Sequence, residues 1–448
     1  MTTVAGSSPV TLVVRPAPPR RERYRSFNAR NFREAPGADA LADELSDDIA
    51  TVAAVFPFKT NAYVCEELID WTRIPEDPMF QLTFPQRDML PPADFVRLRD
   101  RLATGGDRGT VAEIVAGIRA RMNPHPDGQR DLNAVCHQGM LLRGVQQQFD
   151  QSLLFFPAQG QTCHAYCTFC FRWPQFVGGT EDRFAQQDVG PLVDYLHHNP
   201  SVTDVIFTGG DPLVMRSAVL GRYIEPLLSP SLDHLNLRIG TKSLSYWPYR
   251  FTTDDDAGDL LRLFEAITSA GRHLTLMVHF SHPRELETTA AGEAIRRIRD
   301  TGAVLRCQSP VVRHVNDSPA VWQELISLEV RHGLVPYYMF VERQTGAHRY
   351  FSLPLARALE IYREGIAEVS GLGRTLRGPV MSTAAGKIVI DDVVTVHDVR
   401  VFVLRLLNAR EKSYSNRVFF AAYDPDATWL TDLRPAFGAE AFCFASTG

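Results

Sequence analysis

At 448 residues, 45% hydrophobic and 22% charged, the chain has the balance of an ordinary globular protein with a sizeable core. A formal charge of −5 gives neither nucleic acid nor an anionic membrane surface a reason to be the main partner. No apolar run approaches the roughly 20 residues needed to span a bilayer. Seven cysteines in so long a chain exclude a disulfide scaffold and suit a reducing compartment. Near the N-terminus, basic residues follow a short apolar stretch, the reverse of a secretory leader. The expected location is the cytoplasm.

In chain order, residues 1–25 are rich in Pro, Arg and Ser and read as a flexible arm. Residues 26–145 read as an N-terminal helical region, because GADALADELSDDIATVAAV, ADFVRLRDRLATG and GTVAEIVAGIRARM place apolar residues three and four apart. Pro57, Pro75, Pro85, Pro91 and Pro92 punctuate these helices, and NPHPDGQRD closes them. From 146 to 375 the rhythm changes. SLLFFP, Asp204–Thr208, Leu235–Gly240, Leu274–Phe280, Val304–Gln308 and Tyr337–Glu342 read as strands, alternating with helical patterns such as AGDLLRLFEAITSAG and AVWQELISLEVRHG. This predicts an α/β fold with a parallel sheet and helices outside it. Six units are too few for an eight-fold barrel, so a partial (β/α)6 TIM-like barrel is expected, with a doubly wound sheet as the alternative. Residues 376–448 form a C-terminal extension with short strands (KIVI, VVTV), a last helical stretch, VRVFVLRLLNAR, and an aromatic-rich tail.

Cys65, Cys136, Cys307 and Cys443 are scattered, whereas Cys163, Cys167 and Cys170 fall within eight residues. Three thiolates in one tight loop can hold three irons of a [4Fe–4S] cluster and leave the fourth open to a small molecule. A structural zinc site needs four closed ligands, usually in two separated pairs. Here the spacing is asymmetric, and the nearest other donor, His164, sits between the first two cysteines.

Cys-x-x-x-Cys-x-x-Cys, with Phe169 before the last cysteine, resembles the signature of the radical S-adenosylmethionine (SAM) superfamily. More narrowly, residues 152 to 317 resemble the lysine 2,3-aminomutase family, and the likeness continues more weakly to Lys387. In VIFTGGDPLVM, Gly209, Gly210, Asp211 and Pro212 match the segment that contacts the amino group of SAM's methionine moiety; two glycines let backbone approach a ligand and the acid adds a carboxylate. Gln308, Ser309 and Arg313 belong to a stretch, running on to Asn316 and Asp317, similar to the family's segment near SAM. The resemblance implies that reductive cleavage of cluster-bound SAM yields a 5′-deoxyadenosyl radical that takes hydrogen from a small amino-acid-like substrate. The electron would come from a donor such as flavodoxin or ferredoxin. A homo-oligomer is left open.

The family also holds pyridoxal 5′-phosphate (PLP) on a lysine after a glycine-rich run. MSTAAGK, ending at Lys387, is the match; Gly386 and Lys387 are kept, and Ser382 to Ala385 replace the run. Arg172 matches the family's arginine for the substrate carboxylate, a job suited to a guanidinium fork. Gln148, Phe149 and Ser152 stand where the family has basic residues and a tyrosine for PLP. Losing two charge-assisted contacts, at about 1.5–3 kcal/mol each, weakens phosphate binding by roughly two to four powers of ten. Glu342 is the nearest counterpart of an aspartate for the substrate's distal amine, and Val380 stands at a second such aspartate, so lysine is not the indicated substrate.

These departures favour radical chemistry without PLP, with PLP-dependent 2,3-amino migration on Lys387 as the alternative. A non-catalytic metal-binding scaffold is a reading of another class, and it makes the GGDP and QSP segments coincidences. On local context alone, Lys387 reads equally as a turn lysine, Arg172 as the partner of a structural carboxylate and Glu342 as a solvated loop residue. His279 and His282 read as hydrogen-bonded pocket residues rather than ligands.

Overall fold

The computed structural model describes residues 23–105, 107–125, 132–178 and 184–444. Residues 1–22 of the expected arm, and 126–131 of the link that closes the helices, lie outside that set. A short antiparallel ribbon of β1 (Ser26–Asn28) and β2 (Lys59–Asn61) opens the chain, followed by helices Pro92–Ala103 and Arg108–Met122; helix Asp43–Ala53 lies between its strands. Residues 134–145, expected with this helical region, instead form β3 (Ala134–His137) and most of β4 (Met140–Phe149), an antiparallel pair at the margin of the main sheet.

That sheet has twelve strands in chain order. The six expected parallel strands are β5 (Ser152–Phe155), β6 (Asp204–Phe207), β7 (Asn236–Thr241), β8 (Leu274–Val278), β9 (Val304–Val311) and β10 (Val335–Val341). A seventh, β11 (Arg377–Ser382), also runs parallel, on β10. Helices such as Ala257–Ser269 and Thr289–Asp300 pack outside, with Leu260, Phe264, Ile295 and Ile298 meeting Ile239, Leu276 and Leu305 in one core. Every residue of β8 is buried, as expected of a parallel strand covered on both faces.

Three antiparallel strands, β12 (Gly386–Val396), β13 (Val399–Ala409) and β14 (Val418–Ala422), continue the sheet. VRVFVLRLLNAR is therefore strand β13 and not a helix. His397 and Asp398, both at positive φ (46° and 63°), make a two-residue turn that pairs Val396 with Val399. Apolar residues on both faces of β13 hide the two-residue alternation that marks a strand. The outermost strands do not pair with each other, so the sheet is not a closed barrel. It curls nonetheless: Gln148 Nε2 on β4 donates to the Thr383 carbonyl (2.8 Å) beyond β11, and Arg410 Nη1 donates to the Leu132 carbonyl (3.3 Å). Among the described residues no helix is long and apolar enough to cross a membrane.

Candidate active site

The cysteine loop follows β5 and is clamped by the N-terminal region. The amides of Tyr166 and Thr168 donate to the carbonyls of Lys59 (2.8 Å) and Leu82 (3.0 Å), while Tyr24 Oη and Asn61 Nδ2 both donate to the His164 carbonyl (2.6 and 3.2 Å). Ala165, Phe169 and Trp173 pack into the same core as Phe58, Phe80 and Phe84. None of Cys163, Cys167 and Cys170 is in a disulfide. Burial raises all three thiol pKa values, that of Cys170 to about 12, and the sulfurs of Cys163 and Cys170 are close enough to other thiols of the trio for those charges to add to the shift. A half-buried trio with thiol pKa values raised in this way ionises readily only when positive charge arrives among the sulfurs. This is the donor set that suits an iron–sulfur cluster. His164 is no fourth ligand candidate: it is buried, its Nδ1 lies 3.0 Å from Ser243 Oγ, and desolvation holds its pKa down to about 3.

The glycine turn after β6 packs directly on this loop. A Cβ at Gly210 would lie 2.4–2.6 Å from the backbone of Thr162, and the Asp211 amide donates to the Thr162 carbonyl at 2.7 Å. The Asp211 carboxylate is buried and accepts from the amides of Leu213 (3.0 Å) and Lys242 (2.8 Å) and from Thr241 Oγ1 and Ser243 Oγ (each 2.9 Å). Its oxygens tie the end of β6 to the end of β7. Pro212 begins the single 3-10 turn that follows.

Gln308 and Ser309 are neighbours on β9 and face opposite sides of the sheet. Ser309 Oγ is 3.3 Å from His279 Nε2, which also reaches Ser281 Oγ at 3.0 Å, so the His279 ring is engaged in hydrogen bonds. Arg313 is held through its amide, which donates to the Phe351 carbonyl (2.8 Å). Sequence reading missed three buried groups behind the cysteines. Tyr246 Oη lies 3.1 Å from Cys167 Sγ, and Lys242 Nζ forms a 2.6 Å ion pair with Glu285 Oε1. Nothing local marks them, because they come from the segments that follow β7 and β8.

Arg172 and Lys387 open onto one cavity of about 860 Å³ inside the curl. Gln148, Phe149 and Ser152 line it, and so does Arg343, whereas Glu342 does not. Glu342 Oε2 pairs with His348 Nδ1 at 2.6 Å, and burial raises its carboxyl pKa to about 7. Lys387 Nζ lies 4.7 Å from the Tyr338 ring centroid and 5.9 Å from that of Phe149. Burial, then the charges of Arg238, Arg377 and Arg343, pull its pKa from a lysine's ordinary 10.5 to about 8. Gln148, Phe149 and Ser152 bring no charge, but Arg238 from β7 and Arg377 from β11 place guanidinium groups near this amine. A partly neutral amine, two aromatic faces and two cations fit a phosphorylated aromatic aldehyde such as PLP.

No family model matches the chain. Over 396 residues it is 27% identical to a putative L-lysine 2,3-aminomutase of Aquifex aeolicus, a match covering 88% of this chain and 92% of that protein. It is 28% identical over 200 residues to L-lysine 2,3-aminomutase of Clostridium subterminale, covering 44% and 45% of the two chains. It is 27% identical over 208 residues to glutamate 2,3-aminomutase of Clostridioides difficile, covering 44% of each. The chain thus spans less than half the length of these last two. Streptococcus suis SuiB bound to S-adenosylmethionine superposes at a TM-score of 0.34 with 13% identity, over 61% of this chain and 56% of that one, a level that carries no weight here.

Proposed function

Because the chain is a lysine 2,3-aminomutase-like radical SAM protein, we propose that it rearranges a small α-amino acid by moving its amino group between neighbouring carbons. Cys163, Cys167 and Cys170 would hold the [4Fe–4S] cluster, the 209–212 turn and the 308–313 stretch would flank SAM, and Lys387 would hold PLP. When bound, the cluster and SAM would supply hydrogen-abstracting chemistry, and PLP would supply a point of attachment for the amino nitrogen.

The observation behind this reading is that Arg172, two residues after Cys170, and the Lys387 amine line the same cavity. Arg172 would take the substrate carboxylate, setting one end of the molecule beside the cluster loop. Lys387, with its pKa near 8, keeps a fraction of its amine neutral at physiological pH and so able to bond a carbonyl carbon. The walls from β4 and from β10 to β13 would limit the water around a substrate bound there. A small reductant of the flavodoxin or ferredoxin type would deliver the electron, in the cytoplasm.

The uncharged Gln148, Phe149 and Ser152 favour a second reading, radical chemistry on an amino acid without PLP. Two measurements decide. The anaerobically reconstituted, reduced protein should form 5′-deoxyadenosine from SAM, and Cys167→Ala should not; equal formation by the variant ends the cluster assignment. Borohydride treatment with PLP followed by peptide mapping should place a pyridoxyl group on Lys387. Turnover of an amino acid with no such adduct supports the second reading instead.

A further inference from the structure

The cavity's charge is opposite to that of the chain. The protein carries a net −5, yet the cavity is lined by Arg172, Arg238, Arg343, Arg377, Lys387 and Arg405, against a single carboxylate among the described residues, Asp391. Asp391 is already engaged by Arg405 through two contacts of 2.8 Å. Arg238, which has Asp204 Oδ1 at 3.8 Å, and Arg377 gather around Lys387, and one phosphate would answer the charge remaining there. Arg172 would be answered by one carboxylate. Arg343 is left over.

Arg343 and Arg172 share an aromatic platform. The guanidinium carbon of Arg343 lies 4.4 Å from the Phe171 ring centroid and that of Arg172 lies 5.1 Å from it. Among the described residues, the polar side chain that engages Arg343 is Ser382, whose Oγ accepts from Nη2 at 3.2 Å. Neither arginine has a carboxylate partner among the described residues, and burial pulls the pKa of Arg343 down to about 10. Two like charges held over one aromatic ring in a half-buried cavity repel, and an anionic group between them relieves that cost. A substrate ending in an ammonium group would meet repulsion from Arg343.

We infer that the substrate is an amino acid with a second, side-chain acid group, its α-carboxylate on Arg172 and its distal carboxylate on Arg343. This rests on the reading that the cavity is the substrate site, and it names the substrate class. Glu342, one residue earlier, plays no part in recognition because it turns away to His348.

The test is equilibrium binding to the reconstituted protein with SAM and PLP present, using L-aspartate, L-glutamate and L-2-aminoadipate against L-asparagine, L-glutamine and L-lysine. At least one diacid should bind about tenfold to a hundredfold more tightly than its amide and than lysine, the worth of one charge-assisted contact. Arg343→Gln should erase that difference, while Arg343→Lys, which keeps the charge, should retain most of it. An amide or lysine binding as tightly as every diacid overturns the inference, as does no measurable binding of any diacid. It is also overturned if Arg343→Gln weakens PLP and leaves the diacid preference intact, since Arg343 would then serve the phosphate. Failure of the functional reading has a different signature: diacid preference persists while SAM is not cleaved.

Discussion

The phenol oxygen of Tyr246 stands 3.1 Å from Sγ of Cys167, joining the short helix Ser243–Tyr246 after β7 to the middle cysteine of the loop. A phenol keeps its proton at neutral pH, so it donates once the sulfur is a thiolate. Hydrogen bonds to cluster sulfurs draw electron density away and favour the reduced state. Tyr246→Phe is expected to lower the cluster's reduction potential, read in a redox titration followed by electron paramagnetic resonance. An unchanged potential would mean that the contact is packing alone.

Gly210→Ala tests how tightly the glycine turn supports the loop. The added methyl would lie 2.4–2.6 Å from backbone atoms of Thr162, so the residue before Cys163 must move. Overpacking of this kind costs about 1–3 kcal/mol. The expected result is a lower Tm together with reduced iron and sulfide after reconstitution; full cluster loading at wild-type Tm would show that the turn and loop shift freely.

Lys242 and Glu285 form an ion pair with side chains 9% and 0% exposed. Removing only the cation, in Lys242→Met, leaves the Glu285 carboxylate buried with the His282 and Ser281 amides but without its counter-charge. Such single losses cost about 3–5 kcal/mol. The double variant Lys242→Met with Glu285→Leu should cost clearly less than the single one in denaturant unfolding. Equal losses would show that Lys242 acts through packing rather than by neutralising a buried charge.

Lys387 makes two pH-dependent statements. Its amine titrates near 8, so the yield of borohydride-trapped pyridoxyl adduct should reach half its maximum close to pH 8 instead of above 10. For stability the sign runs the other way from a salt bridge. The folded pKa lies below the unfolded 10.5, so between 8 and 10.5 the unfolded chain binds more protons and stability rises with pH. Below pH 8 the full cost of burying the charge is present. Lys387→Met should therefore raise Tm at pH 7 and narrow its advantage toward pH 10.5; a Tm falling at pH 7 would show that the amine is stabilised by its surroundings.

The loop holding Cys163, Cys167 and Cys170 was legible because its chemistry is local: three soft donors within eight residues need no distant partner to be recognised. The parallel strands were legible because each lies between helical stretches with a clear apolar rhythm. β13 was not, since a strand with apolar residues on both faces loses its alternation and imitates a helix. Gly209, Gly210 and Asp211 stood out in the chain, but the four residues that fill Asp211's oxygens, Leu213, Thr241, Lys242 and Ser243, are up to 32 positions away.

The sharpest division is at Glu342 and Arg343. Pattern alone places an ionisable residue after VPYYMFV and no more, because which of two adjacent side chains looks inward depends on how β10 ends, and a slip of one residue exchanges the faces. Folding turned Glu342 to His348 and Arg343 to the cavity. In the same way, the chain by itself determined the cluster of three cysteines, the alternating strands and helices, and a lysine following a degenerate glycine run. Tertiary structure alone decided that Arg238 and Arg377, from two other strands, surround that lysine, and that the cavity of a net-negative protein is strongly positive. Charge is summed along a sequence but felt through space, so only the curl of the sheet could bring those groups together.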